Sequence, residues 1–317
     1  MRTARTALIS RSGKDERGQI LVIFAAALVI LVVMVGLVLD GGSAFAQRRE
    51  QQNAADIAAL AAANVYLLTA DQNASTSAAR AVAAENGWTH GTGGVDVDVS
   101  YDFSNGVEVT VDVDAPHDNH FGRVIGMNQW QVGTTASALS GFPDTAEAAG
   151  PMIFSIAAFD ASGQPLPQYS NPNSPFHFGE TNGDVPTGPG DLAWTNYGTG
   201  NVNTNEVRQI IQGNLVINKT IQFGEYIGQH NNGNHTALFS EVDDYLSGTD
   251  VPVPIVDSNG NFMGWATLHI VSAEGGSAKD VVGYFKTNFV SQRLTVGGCS
   301  INDCPRFLGT YTLKLTN

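Results

Sequence analysis

Two cysteines, two pairs of closely spaced histidines and several carboxylate-rich turns are the places where this chain's residue types could do chemistry. Cys299 and Cys304 have four residues between them, and in an oxidising compartment they could close a small disulfide loop. Zinc fits them poorly, because two further ligands at metal spacing are missing nearby. His117 and His120 stand three apart and His230 and His235 five apart, with no acidic or Cys partner at ligand spacing, so both pairs read as surface or loop histidines. Asp257-Ser-Asn-Gly-Asn261 brushes a calcium-loop pattern, but Phe262 occupies the position of the obligatory glycine and Leu268 that of the closing glutamate. It reads as a plain turn. Asp96, Asp98, Asp112 and Asp114 alternate with valines, which places them on the solvated face of strands. No nucleophile elbow, phosphate loop, His-Glu-x-x-His or Cys-x-x-Cys occurs. The expectation is a protein without catalytic residues, metal or cofactor.

The element that positions everything else is Ile20 to Leu39, twenty residues without a charge or a proline. As a helix the run is about 30 Å long, the thickness of a bilayer's hydrocarbon core. Arg2, Arg5, Arg11, Lys14 and Arg17 precede it against Asp15 and Glu16, and Asp40 follows. The positive-inside bias puts residues 1–19 in the cytoplasm and residues 40–317 outside. The competing reading is a cleaved secretion signal, since Ala44-Phe45-Ala46 before Gln47 satisfies the small-x-small rule, although the apolar core exceeds the roughly 7–15 residues usual there.

Beyond the span, Ser43 to Leu68 lacks Gly and Pro and is rich in strong helix formers, so the membrane helix is expected to run on, pausing at most at Gly41-Gly42. Its alanines permit close approach of another element. A second helix is expected at Ser75 to Glu85, stopped by Asn86-Gly87. Val95 to Tyr101 and Val107 to Val113 then alternate around Asn105-Gly106, a hairpin with one buried face. His120 to Met127 suggests a short helix with Phe121, Val124 and Ile125 inward, and Trp130 to Ala138 a returning strand. Residues 141–150 read as a linker. From 151 the expectation is a β-rich unit: a strand at Met152 to Asp160, loops from Ser162 to Gly200, short helices near Glu206 and Thr236, and a hairpin of Val251 to Val256 with Phe262 to Val271. Pro252 and Pro254 suggest an edge or an irregularity in that hairpin. Strands at Val281 to Val290 and Gly309 to Leu315 end the chain. The fold class is α+β: a single N-terminal transmembrane helix continuing into a long helix, a small α+β region over 40–140, then a β-rich extracytoplasmic domain over 151–317.

The net charge is −14 and the basic residues before the span make the part after it more acidic still, which disfavours nucleic acid as a partner. It says little about fold. The 35 glycines and the low content of charged residues suit a loop-heavy exported protein.

Glu16-Arg-Gly-Gln19, Phe24-Ala25, Gly36-Leu-Val-Leu-Asp40, Gly42, Arg48-Arg49, Gln52-Asn-Ala-Ala-Asp56 and Ala58-Ala-Leu-Ala61 together resemble the TadE/TadG-like family, tight-adherence (Flp) pilus-assembly proteins of bacteria. The pattern covers about residues 16–63. The continuation through Asn86-Gly87, the alternating strands and Phe121-x-x-Val-x-Gly126 is similar to TadG-type exterior regions, and Val253 to Phe285 more weakly to their tails. The resemblance implies a membrane-anchored assembly or surface protein whose partners are the membrane and other pilus-assembly or envelope proteins. It singles out Gly18, Asp40, Gln52 and Asp56 as interaction candidates, with plain solvation at a membrane boundary as the alternative for Asp40 and Asp56. Pilin-like members cleaved by a prepilin peptidase carry Glu five residues after the glycine; the fifth residue after Gly18 is Ile23, so a filament subunit is the weaker reading. Asp160-Ala-Ser-Gly-Gln164 resembles the start of the metal-dependent adhesion site of von Willebrand A-type domains, with Gln164 where that motif has a second Ser. A surface ligand- or glycan-binding module is therefore a further alternative for residues 151–317.

Overall fold

The computed structural model describes residues 16–104, 106–181, 185–198, 202–227, 235–296 and 308–316, with side chains described from Ile20 onward. Helix α1 (Glu16–Thr69) is 54 residues long, about 80 Å at helical rise, and passes through Gly41-Gly42 without a break. Its N-terminal half, up to Leu39, is almost bare of contacts. The half after Asp40 lies on protein. One window within Ile20–Thr69 is long and apolar enough to cross a membrane.

Helix α1 ends at Ala70, whose φ of 54° turns the chain, and α2 (Gln72–Glu85) starts on Asp71, whose carboxylate accepts the N–H groups of Asn73 and Ala74. Gly87 at φ 95° closes α2 after the Asn86 cap. Strands β1 (Asp96–Asp102), β2 (Val107–Asp118) and β3 (Gln129–Gly141) follow as an antiparallel meander with Val97 opposite Val113 and Val111 opposite Ala136. Period-two alternation puts Val97, Val107, Val109, Val111 and Val113 on one face, all fully buried. Against that face lie Ala55, Ala58, Ala59, Ala62 and Ala63 of α1 and Ala79 and Ala83 of α2, also without exposure. Small side chains let the helix approach closely: Ser75 donates to the Ala62 carbonyl at 2.8 Å and Ser140 to the Ala63 carbonyl at 3.0 Å.

Residues 141–150 are woven into the fold. β4 (Thr145–Ala146) pairs with two later short strands, β8 (Lys219–Thr220) and β13 (Leu294–Thr295), and the Asp144 carbonyl accepts the Trp265 indole N–H at 2.9 Å. The distal unit is a closed barrel of six strands in the order β10 (Phe262–Glu274), β11 (Asp280–Phe285), β6 (Phe176–Glu180), β7 (Asp191–Trp194), β5 (Met152–Ser155) and β9 (Asp250–Val256). Two of these strands, β6 and β7, come from the stretch 162–200 that composition marks as loop. Phe154, Phe178 and Phe285 meet edge-to-face inside, with α3 (Thr204–Ile211) and α4 (Thr236–Leu246) adding Val207, Ile211, Leu238 and Phe239 to the same core. β9 is an interior strand. It tolerates Pro252 and Pro254 because β5 pairs with it only at Ile255 and Val256, and its register with β10 shifts between Phe262 and Gly264.

The last strand, β14 (Thr310–Leu315), leaves the barrel and pairs antiparallel with β3, Thr312 opposite Gly141 and Leu315 opposite Ala138. With β12 (Phe289–Val290) it completes a five-stranded sheet, β1-β2-β3-β14-β12. Tyr311 donates to Asn64 of α1 at 2.9 Å, so the chain's end is fastened to its first helix.

Candidate functional site

Asp40, Ser43, Gln47 and Gln51 stand at spacings of three, four and four along α1, which puts them on one face of the helix. That face meets the β2–β3 end of the first sheet. Gln51 is fully buried and its amide donates to the carbonyls of Val113 at 3.3 Å and Val132 at 3.0 Å, bridging two strands. Gln47 and Ser43 hold His117, with Gln47 Oε1 2.7 Å from Nδ1 and Ser43 Oγ 3.0 Å from Nε2. His117 is therefore a buried seam residue and not the surface histidine its spacing suggests; its partners lie 70 and 74 residues away in sequence.

Asp40 closes the row at the boundary of the apolar run. Its carboxylate is buried and accepts three successive backbone N–H groups from the loop after β2: His120 at 2.9 Å, Phe121 at 3.2 and 3.0 Å, and Gly122 at 2.7 Å. Three consecutive N–H groups turned to one side form a concave seat for an anion. Burial works against the charge, but the N–H groups of Gly122, Phe121 and His120 outweigh it and hold the carboxyl below the usual range. One turn earlier, Gly36 leaves room for Phe121: a Cβ there would sit 2.6 Å from the Phe121 Cβ. Glycine and carboxylate thus form one docking point, the first for the ring and the second for the backbone of the same residue.

The other family-pattern residues lie elsewhere on the helix. Gln52 donates to Asp56 at 2.8 Å and to the Thr135 carbonyl at 3.0 Å, tying α1 to β3, and Asp56 is half-buried. Gly18 lies in the first turn of α1, far from the sheet. Cys299 and Cys304 fall outside the described residues, as does His230.

The segment His120 to Met127 is a single 3-10 turn, Gly122–Ile125, and its apolar side chains point outward instead of inward: Val124 is 84% exposed and Ile125 56%. Gly126 at φ 87° ends it. His235 is buried too, 2.5 Å from Glu180, whose same oxygen accepts the Trp194 indole N–H at 3.0 Å. No group of three or more His, Cys, Asp or Glu side chains able to hold a metal occurs among the described residues. Asp160 turns inward on its own loop, accepting from Ser162 and from the N–H of Gln164, and Asp257 does the same with Asn259 and Asn261.

Sequence reasoning missed Ser43, Gln47, Gln51 and the N–H seat of the loop, and it met Gly36 only as part of the family pattern, without a role. The three-four-four spacing of polar residues immediately after an apolar run was the signal for the side chains. The seat is made of backbone, which no residue type announces.

No curated protein and no solved structure matches the chain. Residues 18–65, the stretch of α1 that includes Gly36, Asp40, Gln47, Gln51 and Gln52, match the family model described as "Putative Flp pilus-assembly TadE/G-like", and this segment is TadE/G-like.

Proposed function

We propose that this chain is a single-pass membrane protein of a tight-adherence (Flp) pilus system, working in assembly or anchoring and not as an enzyme. The observation that carries this reading is the continuity of α1. The same unbroken helix supplies the apolar run, the TadE/G-like pattern and the core of the first sheet. Residues 20–39 would cross the membrane with the basic residues 1–19 in the cytoplasm, and the sheet and barrel would stand outside. With Asp40 fastening the sheet at the membrane boundary and Tyr311 tying the last strand to the helix, the exterior would turn and tilt with its anchor. That suits a scaffold contacting other envelope proteins. Outside, Cys299 and Cys304 would close a local disulfide.

The test is deletion of the gene in its host with counts of assembled surface pili, followed by complementation. Restoration by the full chain, and failure by a chain whose residues 20–39 are replaced with a cleavable secretion signal, supports an anchored assembly role. Normal pili in the deletion strain overturn it. Truncation at residue 150 is a poor substitute, because it removes β14 from the first sheet.

A further inference from the structure

The loop between β2 and β3 carries an apolar surface beside the apolar run of α1. Phe121, Val124, Ile125 and Met127 are 44%, 84%, 56% and 41% exposed. Among the other described residues after 70, the exposed large apolar side chains stand singly in sequence or as the pair Leu215 and Val216. Between this loop and Val32, Val33 and Leu37 lies an apolar groove of about 210 Å³. Val32 precedes Leu39 by seven residues, so the loop reaches about 10 Å along the axis below the end of the run.

We infer that this loop enters the outer leaflet of the membrane next to the transmembrane helix, and that lipid acyl chains fill the groove. The inference rests on the reading that residues 20–39 span the bilayer. Continuity with the bare apolar run of α1 is what singles out lipid as the occupant, since the same groove is walled by the run and by the loop. A backbone group left unmet in hydrocarbon is costly, so a loop beside the run must meet its own polar groups within the protein. Here the N–H groups of His120, Phe121 and Gly122 go to Asp40, that of Val124 to the Phe121 carbonyl, that of Gly126 to Arg123 and that of Met127 to Gly122. Asn119 adds its amide to the Met127 carbonyl at 3.0 Å. Arg123 remains half-exposed and reaches Asp118 at 3.4 Å, on a stem long enough to keep its charge at headgroup level. The anchor would then have two apolar contacts with the leaflet, a helix and a wedge locked to it by Asp40, and would resist rotation about the helix axis.

The test uses the full chain, Cys299→Ser/Cys304→Ser, reconstituted in vesicles of phosphatidylcholine and phosphatidylglycerol, with a single cysteine carrying an environment-sensitive nitrobenzoxadiazole label. Val124→Cys is the reporter and Ile125→Cys the second. Val29→Cys reports the span, and Val216→Cys a surface remote from the membrane. The expected result is blue-shifted emission at 124 and 125, quenched by brominated lipid and not by iodide, as at 29 and unlike 216. Quenching by iodide at 124 and 125, with 29 still in lipid, overturns the wedge and leaves the span standing. Shielding of 124 and 125 from both quenchers overturns it in favour of a protein partner or a second copy. Iodide access at 29 overturns the span and the wedge together.

Discussion

Ala59→Leu tests whether the alanine row of α1 is a close-packed seam or merely a helix-forming composition. Leu is nearly as good a helix former as Ala, so the substitution leaves local propensity almost unchanged. Ala59 has no exposed surface and belongs to the buried cluster that joins α1 to the alanines of α2 and the valines of β1 and β2. If free space lay beside it, burying the larger side chain would stabilise by roughly 1.5–3 kcal/mol. In a filled seam the sign reverses, and overpacking typically costs about 1–3 kcal/mol. The neighbours cannot give way locally, because Ala55, Ala58, Ala62 and Ala63 are equally enclosed, so the upper end is expected. For a unit of this size about 3 kcal/mol corresponds to a fall in Tm of roughly 6–12 °C. The assay is a thermal melt of the full chain in detergent, followed by near-ultraviolet circular dichroism, with Ala46→Leu as the control. Ala46 is on the same helix but exposed. Equal melting of the two variants, or a higher Tm for Ala59→Leu, would refute the seam.

Five further substitutions probe the docking point, the glycines of the helix and the sheet. Gly41 and Gly42 would have nothing within 4 Å of an added Cβ, so Gly41→Ala and Gly42→Ala should each stabilise by about 0.5–1 kcal/mol, while Gly36→Ala collides with Phe121 and should not; denaturant titration in detergent separates the signs. Asp40→Asn should strip amide protection from His120, Phe121 and Gly122 in hydrogen exchange, because an amide cannot accept through both of its heavy atoms. In the parent, Asp40's folded carboxyl lies below its unfolded value of about 3.9, so its contribution is present above that value and is lost as pH falls through the lower folded one. Protection at 120–122 should hold at about pH 5 and fade only in stronger acid. Asp96 faces Asp114 and Asp98 faces Asp112 across β1 and β2, so Asp98→Lys should stabilise by roughly 0.2–1 kcal/mol, less at high salt, by the same titration.

Local patterns were readable in this sequence and distant pairings were not. The unbroken helix, the hairpin of alternating valines and the hairpin of β9 and β10 each declare themselves within a few dozen residues, through period and turn chemistry. The return of β14 to β3 joins residues more than 170 apart, Thr312 to Gly141, and no local period encodes such a partner. Closure of the barrel depends on β6 and β7, four or five residues each among Gly, Pro and Asn, too short for alternation to register. The docking point divides along the same line. Asp40 was visible as a charge at the end of an apolar run, whereas its partners are N–H groups some 80 residues away. The outward turn of Val124 and Ile125 went unread because apolar residues in a short segment are ordinarily drawn toward a core, and here the neighbouring apolar surface is the helix's own bare half.

The most direct test of the anchored, helix-continuous account is the intact mass of the mature protein together with carbonate extraction of its native membrane. The account predicts a species that keeps residues 20–39 joined to the sheet and barrel and stays in the membrane fraction. A soluble species beginning at Gln47, or a filament-associated one beginning at Gln19, would contradict it.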